Sequence, residues 1–154
     1  MASPLAYLAA VGLVSFAGYL VVKGKPKKVF ISYHSKGDSN YKNLIMAWAK
    51  NNNFKLNIED LSTDTKINSE NRSYLKQRMK EQIGKSDYVI VFVGESTHKR
   101  EWVLWEIEQA KKINKTIIAV KKKRAHKSPK PLLRSGVTWV YGFSEDGIRK
   151  ALNK

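Results

Sequence analysis

At 154 residues the chain has room for one domain, and 29 Lys and Arg against 13 Asp and Glu leave it with a formal charge of +16. Such an excess points to anionic lipid, nucleic acid or a phosphate-bearing small molecule as partner. The absence of cysteine excludes disulfides and thiolate metal sites, and three histidines (His34, His98, His126) argue against a histidine-rich one, so no metal is expected.

Residues 1–22 contain no Asp, Glu, Lys or Arg, and Pro4–Val22 is nineteen residues, apolar apart from Ser15 and two tyrosines. As a helix that stretch would be roughly 28 Å long, about the thickness of a bilayer's hydrocarbon core. A secretory signal would carry its positive charge ahead of the apolar run. Here Lys23, Lys25, Lys27 and Lys28 follow it. The expectation is an uncleaved transmembrane helix over residues 1–22 and a domain on the cytoplasmic side, a single-pass membrane protein. Residues 23–27 read as a flexible basic linker and residues 28–154 as the domain.

Val29–Tyr33 is a short apolar run suited to a buried strand. Asp38, Ser39 or Asn40 then offers an N-cap to a helix carrying Tyr41, Leu44, Ile45 and Trp48, which Asn51–Asn53 stops. Phe54, Leu56 and Ile58 alternate with polar residues, as in a strand with one wet face. A polar loop follows from Asp60 to about Ser69. Leu75, Met79 and Ile83 mark a second helix, with Gly84 placed to close it in a left-handed cap. Tyr88–Val93 is an uninterrupted β-prone run, residues 99–114 are helical, and Thr116–Val120 is another wholly apolar strand. After a basic loop, Val137–Phe143 reads as the last strand, and Ser144 caps a terminal helix.

Strands alternating with helices imply an α/β fold with a parallel sheet and helices on both faces. The two continuous apolar strands belong at the centre and the alternating one at an edge. The flavodoxin-like order 2-1-3-4-5 meets that constraint, and places ligands beyond the carboxyl ends of strands one and three. The expected crevice is lined by Tyr33, His34 and Ser35 on one side and Gly94–Thr97 on the other.

Two segments carry a resemblance. Phe30-Ile31-Ser32-Tyr33 resembles the opening strand of the TIR domain family, and Ser96–Ile107 resembles its third-strand exit and the following Trp-x-x-x-Glu helix. The combination of Thr97, Arg100, Trp102-Val103 and Glu106-Ile107 is most similar to the TIR-like proteins of bacterial Thoeris anti-phage systems, over about residues 28–125. The resemblance implies cleavage of NAD between nicotinamide and ribose, releasing ADP-ribose or a cyclised form that signals to a separate effector. It implies NAD as substrate, no cofactor, self-association through TIR contacts, and Glu106 in the place of the catalytic glutamate.

The residues themselves are compatible with that role. Trp102 and Ala110 lie four positions to either side of Glu106, so its carboxyl shares a largely apolar helix face, where desolvation raises its pKa. N-glycosidic cleavage passes through a ribosyl cation, for which one carboxylate beside the ribose is the main requirement. Alternatively Glu106 edges the core and pairs with Arg100 or Lys99. Tyr33 and His34, at the switch point, are candidate ligand contacts, the histidine by stacking on nicotinamide or bonding a ribose hydroxyl; an exposed loop histidine is the alternative. Ser96 and Thr97 sit where a helix start could bind phosphate or simply be capped. Arg100 could meet the pyrophosphate, and Trp102 is either an adenine platform or core. Asp60 shapes the loop it begins.

Lys121–Arg134 holds seven Lys or Arg, one histidine and no acid. It reads as a solvated loop or a surface for anionic lipid; nucleic acid is disfavoured because no aromatic residue interleaves the run. Two functions therefore compete, an NAD-cleaving enzyme and a non-catalytic TIR-like adaptor. A phosphoacceptor receiver is excluded, since Ser32–Ser35 lacks the cluster of acids that chemistry needs.

Overall fold

The structure, a computed structural model, describes the backbone of residues 13–16 and 19–22 and the whole of residues 23–62 and 71–154. Five parallel strands form its sheet: β3 (Lys27–Ser32), β4 (Ile58–Asp60), β5 (Tyr88–Val93), β6 (Thr116–Lys121) and β7 (Thr138–Tyr141). They are ordered β4-β3-β5-β6-β7. Numbered within the sheet this is the expected 2-1-3-4-5. The apolar runs are central for a physical reason: side chains alternate across a strand, so a strand apolar at every position must be covered on both faces.

That covering is done by four helices, α1 (Ser35–Lys50), α2 (Arg72–Lys85), α3 (Glu101–Lys112) and α4 (Glu145–Leu152). On one face Val29, Ile31, Ile90 and Phe92 pack with Ile45 of α1 and Ile148 of α4. On the other, Phe30, Val89 and Val91 pack with Ile83 of α2 and with Val103 and Ile107 of α3. Each such side chain, wholly withdrawn from water, contributes about 1.5–3 kcal/mol before entropy is counted.

The apolar amino-terminal segment departs from expectation. Strands β1 (Leu13–Phe16) and β2 (Tyr19–Val22) pair antiparallel, Leu13 opposite Val22 and Phe16 opposite Tyr19. No helix among the described residues is long and apolar enough to cross a membrane. This corrects both the transmembrane anchor and the single-pass membrane location inferred from it. Hydrophobicity measures only what a segment can bury. Its backbone preference is set by Val14, Val21, Val22, Phe16 and Tyr19, which favour extended chain, and by Gly12 and Gly18, each costing a helix about 1 kcal/mol relative to alanine. The rest of the expected anchor, residues 1–12 and 17–18, lies outside the described residues.

The basic segment that follows is fastened to the domain. Lys23 Nζ donates to the carbonyls of Ala49 (2.9 Å) and Leu56 (3.3 Å), and Asn57 donates to the carbonyl of Gly24. Lys27 opens β3, with its ammonium on Leu152 O and, at 2.9 Å, on Asn153 Oδ1. Lys115 donates to Gly84 O at 2.8 Å and Ser86 O at 2.6 Å. Lysines thus close the carboxyl ends of α1, α4 and α2, where unpaired carbonyls and the helix dipole favour a cation. Part of the positive charge has this structural use.

Three element boundaries also shift. The alternating run becomes a strand only at Ile58–Asp60, although Leu56 and Ile58 are both buried. Its ladder with β3 begins at Lys27 opposite Ile58, because Pro26 has no N–H to extend the pairing. Helix α1 starts at Ser35, where the His34 carbonyl accepts from the N–H groups of Gly37 (3.1 Å) and Asp38 (2.8 Å). Asp38, expected as a cap, lies inside the first turn and is buried. Helix α2 runs through Gly84 to Lys85 and is closed by Ser86 in extended conformation, its Oγ donating to Ile83 O. The left-handed residue appears instead at Asn114 (φ 55°), beyond α3. Ser144 caps α4 as expected, accepting from Gly147 N at 3.2 Å.

Candidate active site

Helix α3 is aimed by the turn before it. Beyond β5, Thr97 is fully buried; its Oγ1 accepts from Gly94 N at 2.8 Å and donates to Phe92 O at 3.2 Å. This side chain folds the strand exit back on itself and leads through a short 3-10 turn, Thr97–Lys99, into Glu101. Glu101 at the amino end and Lys111 and Lys112 at the other match the helix dipole. With Val103, Ile107 and Ala110 packed on the sheet, Glu106 is carried to the carboxyl end of β3.

There Ser32 Oγ donates to Glu106 Oε2. Both residues are buried, Glu106 with 6% of its surface exposed. Burial drives the Glu106 carboxyl from 4.5 up to about 7, and the hydrogen bond from Ser32 holds the rise in check by favouring the charged form. Near neutral pH the group is therefore poised between its two states.

Glu106 lines a cleft of about 650 Å³, large enough for a nucleotide. Its walls come from three directions: Phe30, Tyr33 and His34 from β3 and its exit, Leu75 and Met79 from α2, and Arg100 and Trp102 from the start of α3. Lys36 and Lys99 add two cations, and Ser62 borders it where the polar loop begins. Of that loop, residues 63–70 lie outside the described residues. The pKa of His34 is lowered, first by partial burial and then by Arg100, with Lys36 adding to the effect and Asp38 opposing it. Its imidazole is thus neutral at pH 7.

Tyr33 is held from behind. Lys42 Nζ lies 5.3 Å from its ring centre and 3.2 Å from Asp60 Oδ2, and both charged side chains are nearly buried. Asp60 also accepts from Ser62 N (2.8 Å) and Ser62 Oγ (2.6 Å), so it shapes the start of the loop. On the far wall Arg72 lies 5.7 Å from the ring of Trp102, which meets Trp105 edge-on at 5.9 Å.

The fold thus gathers Glu106, Tyr33, His34, Arg100 and Trp102 at one cleft. It does not bring Ser96 and Thr97 there. Thr97 is committed to the β5 exit, and Ser96 Oγ accepts from the Arg100 guanidinium at 3.1 and 3.3 Å. The β5 side of the expected crevice, Gly94 to Thr97, is likewise absent from the cleft lining. A Cβ on Gly94 would lie 2.8 Å from Asp38 Oδ1, so the first turn of α1 closes that side. Sequence reasoning overlooked Ser32 as a partner, although period-two alternation puts it on the face of Phe30, a polar residue where an apolar one is expected.

A family model described as the TIR-like domain of Thoeris protein ThsB matches residues 30–127, from β3 into the basic loop. The chain belongs to this family. Among solved structures it resembles a CMP N-glycosidase, BcmB, from Clostridium botulinum, with a TM-score of 0.56 and 16% identity over 82% of this chain and 98% of that one. A conserved protein from Enterococcus faecalis is similar, with a TM-score of 0.53 and 9% identity over 83% and 98% of the two chains. At such identities the likeness is one of fold. No curated protein sequence matches the chain.

Proposed function

We propose that this ThsB-type TIR-like domain cleaves NAD at the bond between nicotinamide and ribose. The observation that carries the reading is the Glu106 carboxyl, buried beside Ser32 and lining a nucleotide-sized cleft. In the reaction the C1′–N bond breaks and its electron pair stays with the ring nitrogen, so nicotinamide leaves neutral and needs no acid. The ribose is left as an oxocarbenium cation, and the buried Glu106 carboxylate stabilises it. Attack by water gives ADP-ribose and a proton, for which the neutral imidazole of His34 is an available acceptor. Attack by a nucleophile of the same molecule gives a cyclic product instead. The cationic rim of Lys36, Lys99 and Arg100 suits the pyrophosphate, and Tyr33 and Trp102 offer rings to the two bases.

N-glycosidic chemistry on this fold has a parallel in the CMP N-glycosidase, and the Thoeris family context supports an anti-phage signal passed to a separate effector. Self-association through TIR contacts belongs to the same proposal. The adaptor reading needs no cleft and no buried carboxyl facing one. The test is mass spectrometry of NAD incubated with the full chain at rising protein concentration. Release of nicotinamide by the parent chain and its loss in Glu106→Gln is the expected result. A chain that releases none under any condition refutes the proposal.

A further inference from the structure

The basic run Lys121–Arg134 contains no aromatic residue, but the fold supplies aromatic neighbours from elsewhere. Strands β6 and β7 pair in parallel with Lys121 beside Tyr141 and Ala119 beside Trp139, so the loop leaves β6 next to the end of β7. β7 is an edge strand of the sheet. Trp139 and Tyr141, two residues apart and so on one face of it, stack with centroids 6.2 Å apart and planes 13° from parallel. The Arg124 guanidinium lies 4.4 Å from the centre of the Tyr141 ring, and the Lys121 ammonium 5.9 Å from that of Trp139. Lys122 lies 4.5 Å from the ring of Tyr41. Three of the first four cations of the run therefore rest on aromatic rings. Tyr141 keeps 51% of its surface exposed, and Lys122, Lys123, Arg124 and Lys127 are exposed as well. The carboxyls felt by Lys122, those of Asp38 and Glu95, come from outside the run.

We infer that this surface binds single-stranded nucleic acid, with bases stacking at Tyr141 and Arg124 and phosphates held by Lys122, Lys123 and Lys127. Cations track a phosphate backbone, while exposed rings and guanidinium planes accept bases of any sequence. A duplex keeps its bases paired and would leave the ring unused. An anionic bilayer would engage the same lysines, together with Leu133, 52% exposed on the same loop, but it has no planar group to place on Tyr141. The surface is built from β6, β7 and their loop, and none of its residues lines the Glu106 cleft.

The experiment is fluorescence anisotropy of a labelled oligouridylate with the full chain over a range of salt. Heparin, an anion without bases, and vesicles of phosphatidylcholine and phosphatidylserine serve as competitors. Binding should weaken with salt, and Lys123→Gln should reduce the log–log slope by about 0.7, the value for one phosphate of a single strand. Tyr141→Ala should weaken oligouridylate binding about tenfold and leave heparin binding unchanged, whereas Tyr141→Phe should retain both. Because Tyr141→Phe keeps the ring, it separates loss of stacking from loss of fold. Failure to bind oligouridylate at low salt overturns the inference. So does equal binding by parent and Tyr141→Ala, or displacement by vesicles that depends on Leu133.

Discussion

Replacing Glu106 by glutamine should make the protein more stable at alkaline pH while removing the charge on which the proposed NAD cleavage rests. The carboxyl titrates at 4.5 when unperturbed and at about 7 when buried in the fold. Between those values the folded chain holds a proton that the unfolded chain releases, and proton binding favours folding. Because the folded value is the higher one, this contribution is complete below about 4.5 and lost as pH rises through about 7. Over that interval of roughly 2.5 units, at 1.36 kcal/mol each, the buried carboxylate becomes a burden of about 3 kcal/mol. Glutamine has no such burden, and its amide oxygen can still accept from Ser32.

The gap between Glu106→Gln and the parent should therefore be near zero at about pH 4 and approach about 3 kcal/mol by about pH 8.5. Urea unfolding followed by tryptophan fluorescence measures it, since the chain has four tryptophans. In parallel, NAD cleavage should fall by ~10²–10³ in the variant, the usual loss for one such electrostatic group. A stability difference independent of pH would show that Glu106 is not titrating in a buried site. The reasoning about its carboxyl would then fail whatever the activity.

Three further substitutions probe the framework. Ser32→Ala removes the hydrogen bond that favours the carboxylate, so the acidic limb of the kcat/KM profile, set near pH 7 by Glu106, should move to higher pH; an unmoved limb would separate Ser32 from the chemistry. Gly94→Ala drives a methyl group to 2.8 Å from Asp38 Oδ1 and should cost about 1–3 kcal/mol in urea unfolding, most of it recovered when Asp38→Ala is added; additive costs would refute the contact. Lys42→Met leaves the nearly buried Asp60 carboxylate without its cation, for a loss of about 3 kcal/mol that Asp60→Asn in the same chain should reduce.

The sheet was legible in the sequence because each of its requirements is local or compositional. The continuous apolar runs Tyr88–Val93 and Thr116–Val120 suit strands covered on both faces and Val29–Tyr33 a buried one, and once three are placed the topology rules leave little choice. That Glu106 turns inward was legible for the same kind of reason, since Trp102, Ala110 and the 3.6-residue period fix which way it faces, while its place as a catalytic candidate came from the Trp-x-x-x-Glu resemblance. What escaped notice depends on contacts between distant segments. Ser32 and Glu106 are separated by 74 positions, and nothing near either announces the other. The β5 side of the crevice failed similarly: Asp38 fills it against Gly94 from α1, across more than fifty residues of chain.

The amino-terminal segment shows where composition misleads, and the basic loop shows what a count along one segment leaves out. Hydropathy alone made residues 1–22 a membrane helix, yet that measure is blind to the β-branched and aromatic residues that favour Leu13–Phe16 and Tyr19–Val22 as paired strands. The absence of aromatic residues from the basic run counted against nucleic acid, although a surface is assembled from neighbours in space. Parallel pairing of β6 with β7 sets Tyr141 beside Lys121, and Arg124 folds back onto that ring. In both cases the arrangement belongs to a pairing between strands, and a pairing is invisible to any count taken along one segment. The chemistry of the cleft follows the same logic. A glutamate on an amphipathic helix is ordinary, and its carboxyl is perturbed here because β3 brings Ser32 to it and packing withdraws it from water.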